Sequence, residues 1–408
     1  MPPLSCKSDA KVLVIGAGVF GLTLALELNR RGYTDITILD RYLPPVPDGS
    51  SVDISRVVRP DYADQFYADM AVEAVKGWAR EFSPFFHRNS LLSLSETHRH
   101  PYTRILREFA RSRPICFGMF RRRGKEKIPD DPCILYLARR CNDAGISFLS
   151  GRHGTVTSLL TAGKRVAGVR TKAGAAILGD VTIIAMGAWT PHLLNMNRNS
   201  VSTGQPVGFL QLTSQEADDM RNCPVIINLS TGWFCFPPTP GTNILKMARH
   251  GYGYETTTAQ PPHASAIGQA DSSSAPSLSH NNATSGFIPA DAEQALRHGL
   301  EQFFPRLRDR DFLRRRLCWY TDTPKGDFIV DYHPDYENLF MACGGSGHAF
   351  KFLPVLGKYT ADAFELKASE RQTSKWAWKP TSAAISKGDG SRGGPSRRVL
   401  SREEQSRL

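Results

Sequence analysis

The stretch Gly16-Ala17-Gly18-Val19-Phe20-Gly21 sets three glycines at a spacing suited to a bound pyrophosphate. Gly16 permits a tight turn, Gly18 lets the backbone come close to the phosphates, and Gly21 lets a following helix pack on the preceding strand. The N-terminus of that helix offers N–H donors to the anion. Asp40, about 20 residues further on, is placed to accept a hydrogen bond from a ribose hydroxyl. A second stretch, LCWYTDTPKGDF from Leu317 to Phe328, puts Cys318 among aromatic, hydroxyl and acidic residues. A free cysteine is ordinarily a small buried hydrophobe, so polar company asks for a chemical reason.

These residues need elements to hold them. Lys11 to Ile15 is a short β-branched run, as a strand buried on both faces would be. The glycines follow at once, then a helical pattern (Leu22, Leu24, Ala25, Leu28) ending at Gly32, then a second apolar run, Ile36 to Leu39, closing on Asp40. Strand, glycines, helix, strand and terminal acid in register predict dinucleotide binding, without deciding between NAD and FAD. Further parts follow: a helix from about Asp64 to Phe82, a buried strand from Val181 to Met186 ending in Gly187-Ala188-Trp189, and a strand from Leu339 to Ala342. Gly344-Gly345-Ser346-Gly347-His348-Ala349-Phe350-Lys351-Phe352 and a helix near Lys358 to Leu366 come next. Contacts scattered this widely favour FAD over a nicotinamide.

Composition bounds the answer. The chain of 408 residues, 41% hydrophobic and 10% aromatic, can fill two cores. Its eight cysteines show no CxxC spacing, no signal peptide is expected, and no apolar run reaches membrane-spanning length, so reduced thiols are expected. The net charge of +12 is uneven: ten Lys and Arg face four Asp and Glu between Lys367 and Leu408. Further basic clusters lie at Arg121 to Lys127 and Arg314 to Arg316, and no motif that reads nucleic acid accompanies them. Solvated faces explain them.

The combination GAGVFG, GSSVDISRVVR, GAW, LKMARH, CWYTDTP and GGSGHAFKF, spread from Val12 to Leu366, resembles the monomeric sarcosine oxidase family, which includes fungal fructosyl amino acid, pipecolate and saccharopine oxidases. The resemblance implies an α/β protein with a Rossmann-like FAD domain (1–85, 131–205 and 306–367) interleaved with a substrate domain on a mainly antiparallel sheet (86–130 and 206–305). It implies that FAD is attached through Cys318 as a thioether. It gives cofactor-binding roles to Gly16, Gly18, Val19, Phe20, Gly21, Asp40 and Arg41 at the nucleotide end. The same role falls to Ser50, Ser51, Arg56, Gly187, Gly344, Gly347, His348 and Lys351 elsewhere. Arg59 and Lys351 match residues that bind the substrate carboxylate, for which a planar guanidinium is well suited. His250 matches a histidine of the substrate pocket and Lys246 the lysine that activates oxygen; no metal is implied.

Two departures from the family stand out. RRRGKEKIPDDPC replaces a longer family segment between His100 and Asp131, and a Ser/Thr/Ala/Pro/Asn-rich stretch at about 256–288 reads as a flexible surface insertion. Residues 368–408 read as a basic flexible tail ending in Ser406-Arg407-Leu408, similar to a peroxisomal address read by an import receptor. The expectation is a monomeric, peroxisomal FAD-dependent oxidase of a secondary amine or N-substituted amino acid, using O2 and acting on no nucleic acid or membrane. The alternatives are a cytoplasmic location, a flavin-binding protein without turnover, and a flavin dehydrogenase or monooxygenase.

Overall fold

A computed structural model describes residues 7–95, 118–121, 131–258, 274–278, 284–379 and 391–408. The run Lys11–Ile15 forms the central strand of a six-stranded sheet, buried along most of its length because neighbours cover both edges, helices cover one face, and residues of the strands Val156–Ala162 and Arg165–Thr171 pack on the other. Its neighbours are Asp35–Leu39 and Val181–Ile184, both parallel to it. Leu339–Cys343 and the antiparallel Ile329–Tyr332 complete one side, and Ser147–Leu149 the other. The helix Val19–Arg30 starts directly after the glycine turn and packs on the helix Leu353–Phe364, where a Cβ on Gly357 would fall 2.3 Å from the Thr23 carbonyl. Asp64 caps the helix Gln65–Trp78 by accepting from the Tyr67 N–H.

A second, larger sheet is mainly antiparallel. Its long strand Val201–Gln211 lies between Ile244–Arg249 and Arg314–Asp322. Strand side chains alternate between faces, so residues directly opposite one another share a face. Leu245, Met247, Leu210, Leu317 and Trp319 lie in one hydrophobic core with Leu296 and Leu300 of the helix Ala290–Phe303. The other face carries Lys246 opposite Phe209, Ala248 opposite Val207, Arg316 opposite Val207, and Cys318 opposite Gln205.

Two expectations are corrected. The segment after 367 is not a loose tail where it is described. Trp376 of the helix Glu370–Trp376 is fully buried, Arg398–Val399 adds a parallel strand to Tyr254–Glu255, and Leu400 and Leu408 join the core of the second sheet. The apolar residues that drive this docking are few and spaced without period. The charges that looked solvated are paired: Arg398 bonds Asp291 and Glu404, and Ser401 and Glu404 form a capping box on the helix Arg402–Ser406. Leu408 is 6% exposed and so docked, while Ser406 and Arg407 before it are exposed. Nor is the 256–288 stretch wholly a surface insertion. Thr256, Ser274 and Ala275 are buried, with the Ser274 hydroxyl donating to the Ser202 carbonyl at 2.6 Å. The departure expected between His100 and Asp131 lies outside the described residues, apart from Gly118–Arg121 and Asp131.

Candidate active site

One long cavity runs from the glycine turn to the outer face of the second sheet. At its nucleotide end, Gly16 has φ +115°, and a Cβ there would fall 2.3 Å from the Ala185 carbonyl. A Cβ on Gly21 would fall 1.9 Å from the Gly16 carbonyl, so both positions admit only glycine. Gly18 caps the helix without a side-chain hydrogen bond, and the first turn holds no acid. This leaves a positive helix end and N–H donors facing the cavity, an arrangement that fits a pyrophosphate. Asp40 accepts from the Ala17 N–H at 2.7 Å and the Arg41 N–H at 2.6 Å. Burial pushes its carboxyl up against these donors. Arg41 binds both oxygens of Asp48 and lies 4.7 Å from the Trp189 ring. Ser51 accepts from the Val19 N–H at 3.0 Å.

At the other end stand Cys318, Lys246, Arg56, Arg59, His250, His348 and Lys351, all on the cavity wall. Cys318 is buried; burial pushes its thiol up, opposed by Arg316, Lys246 and Arg56, whose charges favour the thiolate. Arg56 pairs with the fully buried Asp131 and lies 3.8 Å from the Phe350 ring centre. Burial pushes the Asp131 carboxyl up despite Arg56. Arg59 bonds Asp61 at 2.7 Å, and the Lys351 ammonium lies 4.6 Å from the Tyr62 ring. His348 contacts the Tyr62 hydroxyl at 2.9 Å and the Gly326 carbonyl at 2.7 Å. The Lys246 ammonium contacts Asp53 and the Ser55 carbonyl, each at 2.6 Å.

Of the residues expected from sequence, Gly16, Gly18, Val19, Phe20, Asp40, Arg41, Ser50, Ser51, Gly187 and Gly347 also line this cavity. Gly21 and Gly344 do not. They stand behind the wall, where Gly344 has φ +73° and a Cβ would come 3.0 Å from the Ile329 nitrogen.

Two cavity-lining residues, Asp53 and Arg392, and a third beside them, Arg316, went unpredicted. Asp53 sits inside GSSVDISRVVR but its partner is 193 positions away in sequence. Arg316 shares the face of Cys318 by strand parity, a signal the sequence did contain once the strand was recognised. Arg392 had no such signal. It comes from the strap after residue 390, binds both oxygens of Asp322, and donates to the Gly251 carbonyl at 3.0 Å. Beside it, Ser391 contacts His250 at 3.3 Å.

A nucleotide cradle joined by one cavity to a thiol and a buried lysine suits a flavin dinucleotide, and comparison with known proteins agrees. The family described as FAD dependent oxidoreductase matches residues 11–363. The L-saccharopine oxidase of Schizosaccharomyces pombe is 27% identical, over 90% of this chain and 93% of its own. The peroxisomal sarcosine oxidase of Mus musculus is 26% identical, over 85% of this chain and 90% of its own. A crystal structure of a thermally stable fructosyl peptide oxidase mutant superposes with a TM-score of 0.85 at 26% identity, covering 96% of this chain and 98% of that one. The cradle, the cavity it opens into and these likenesses together place the chain in the FAD dependent oxidoreductase family, in the monomeric sarcosine oxidase branch that its motifs resemble.

Proposed function

We propose that this protein is an FAD-dependent oxidase of a secondary amine or N-substituted amino acid, with the flavin attached through Cys318. The observation that carries the reading is that Cys318 and Lys246 project from one face of one sheet into the cavity that begins at the glycine cradle. When bound, FAD accepts two electrons from the amine's C–N unit and passes them to O2. Everything else falls to the chain's own residues.

The glycine cradle and the helix end hold the pyrophosphate, Asp40 takes the ribose, and Arg56 stacks on Phe350 beside the ring. Cys318, with three cations favouring its thiolate, supplies the sulfur of the thioether. Lys351 and Arg59 stand on the cavity wall, where they suit the carboxylate of an amino acid substrate. His250, steadied by Ser391, stands on the same wall and orients the amine. Lys246 holds a fixed positive charge where water is scarce, which stabilises oxygen as it takes on negative charge before its protons.

The sequence expectations of a monomer and of peroxisomal import through Ser406-Arg407-Leu408 remain part of this proposal. The peroxisomal name of the mouse relative supports the second. Because Leu408 is buried, a receptor reads the tripeptide only after the helix Arg402–Ser406 lets it go.

The test is anaerobic titration of the purified protein with sarcosine, pipecolate, saccharopine and fructosyl amino acids. Bleaching of the flavin spectrum by one of them, followed by H2O2 on admitting air, is expected. A flavin that none of these amines reduces would instead support a flavin-binding protein without turnover. Acid precipitation should leave a yellow pellet from the wild type and a colourless one from Cys318→Ala. Flavin wholly in the wild-type supernatant would reject the covalent bond.

A further inference from the structure

We propose that Asp53 is a positioning residue that holds Lys246 as an ammonium facing the cavity, with Arg316 setting the strength of that hold. This rests on the role given to Lys246 above and extends it to two residues with no assigned part in the chemistry. The Lys246 side chain is 5% exposed, and its nitrogen contacts Asp53 and the Ser55 carbonyl at 2.6 Å each. It also lies 4.8 Å from the Phe236 ring centre. Two of its three N–H groups are thereby taken by fixed partners on the cavity wall, which limits where the third can point.

Asp53 is itself held. One oxygen accepts from the Ile54 N–H at 2.8 Å, and the other is shared between Lys246 and the Arg316 guanidinium at 3.9 Å. Arg316 is locked by donation to the Val52 carbonyl at 2.7 Å, and its buried Nε has no hydrogen-bond partner among the described residues. Among the described residues, the charged and titratable groups around Lys246 are Asp53, Arg56 and the Cys318 and Cys235 thiols; Arg316 acts on it through the shared Asp53, and Arg56 is taken up by Asp131. Three cations share this buried region with two carboxylates, and only one of those carboxylates reaches Lys246. An arginine does not give up its proton, whereas a buried lysine does so readily, so any loss of negative charge here is answered at Lys246. Burial already pushes the Lys246 ammonium down, and Asp53 is the chief opposing influence. Burial would raise the Asp53 carboxyl, but Lys246, Arg316 and Arg56 outweigh it and hold it below the ordinary range.

The sign follows. Lys246 carries its charge only below its own pKa, so reoxidation of the reduced enzyme falls as pH rises through that value. Asp53→Asn moves this fall to lower pH, and at alkaline pH slows reoxidation by on the order of a hundredfold, as for loss of one preorganised charge. Arg316→Met removes a competitor for Asp53 and moves the fall to higher pH. Asp53→Glu keeps the wild-type limb.

The experiment is stopped-flow reoxidation by O2 of the flavin-loaded enzyme, chemically reduced, across pH 6 to 10. The midpoint potential of the bound flavin is measured over the same range as a readout independent of turnover. Opposite displacements of the alkaline limb in Asp53→Asn and Arg316→Met, each matched by a break in the potential at the same pH, are expected. Limbs that stay with the wild type in both variants, while Lys246→Met reoxidises slowly, would overturn the role of Asp53 and leave that of Lys246 standing. Wild-type reoxidation in Lys246→Met would overturn both. Should Asp53→Asn not fold, the upward shift in Arg316→Met and the unchanged limb in Asp53→Glu decide the matter.

Discussion

Arg392→Ala probes whether the strap after residue 390 is part of the active-site wall. The wild-type guanidinium is 8% exposed and spans both oxygens of Asp322, whose side chain is 3% exposed. It also donates to the Gly251 carbonyl at 3.0 Å and the Ser346 carbonyl at 3.2 Å. With the arginine gone, Asp322 keeps the Thr203 hydroxyl as its side-chain donor among the described residues. A buried carboxylate stripped of its cation costs about 3–5 kcal/mol. The strap is otherwise held here by the Ser391–His250 contact at 3.3 Å and by backbone bonds, among them Gly393 N–H to the His250 carbonyl at 3.2 Å and Gly394 N–H to the Ser230 carbonyl at 2.9 Å. The cost therefore falls on local opening of the strap and leaves the two cores intact. At 1.36 kcal/mol per tenfold change, opening becomes roughly two to four orders of magnitude more frequent. Amide hydrogen exchange followed by mass spectrometry should show this at Gly393 and Gly394, with the helix Val19–Arg30 protected as before. Arg392→Lys, which keeps the charge but loses the fork, should fall between. Exchange of the strap within tenfold of the wild type would refute the idea that this ion pair closes the cavity.

Two other outcomes are expected. The Glu365 side chain is 1% exposed and bonds Lys7, Arg31 and Lys367; burial raises its carboxyl, but these cations outweigh that and hold it down to about 2. Because the folded value lies below the ordinary one, the stabilisation is complete above pH 4.5 and is lost as pH falls from there to about 2. Glu365→Gln should therefore lower stability at neutral pH by roughly 3 kcal/mol, a difference from wild type that urea denaturation should find shrinking away towards pH 2; a constant difference would contradict it. A fluorescent protein fused ahead of residue 1 should mark peroxisomal puncta, and deletion of Ser406, Arg407 and Leu408 should return it to the cytosol. Diffuse fluorescence of the intact fusion would reject the address.

The nucleotide half of the site was legible in the chain because its rules are local. A β-branched run, a glycine turn, a helix and a second run closing on Asp40 are contiguous, and Gly16 and Gly21 answer steric demands from the end of the neighbouring strand and from the turn itself. Cys318, Lys246 and the Gly344–Phe352 stretch were legible by motif. The parity that turns Lys246 and Cys318 to one face follows once their strands are drawn. What sequence could not supply was which distant charge meets which. Asp53 finds Lys246, and Arg392 finds Asp322, only because two strands and a strap converge on one cavity, and an ion pair leaves no periodic trace in the chain. The tail was misread for the same reason. Its Ser, Gly and Arg composition resembles a solvated segment, while Trp376, Leu400 and Leu408 are too sparse to show a helix or strand period. Their burial is decided by a core that the rest of the molecule builds, since the hydrophobic effect depends on the area a partner surface can cover and not on the sequence that presents it.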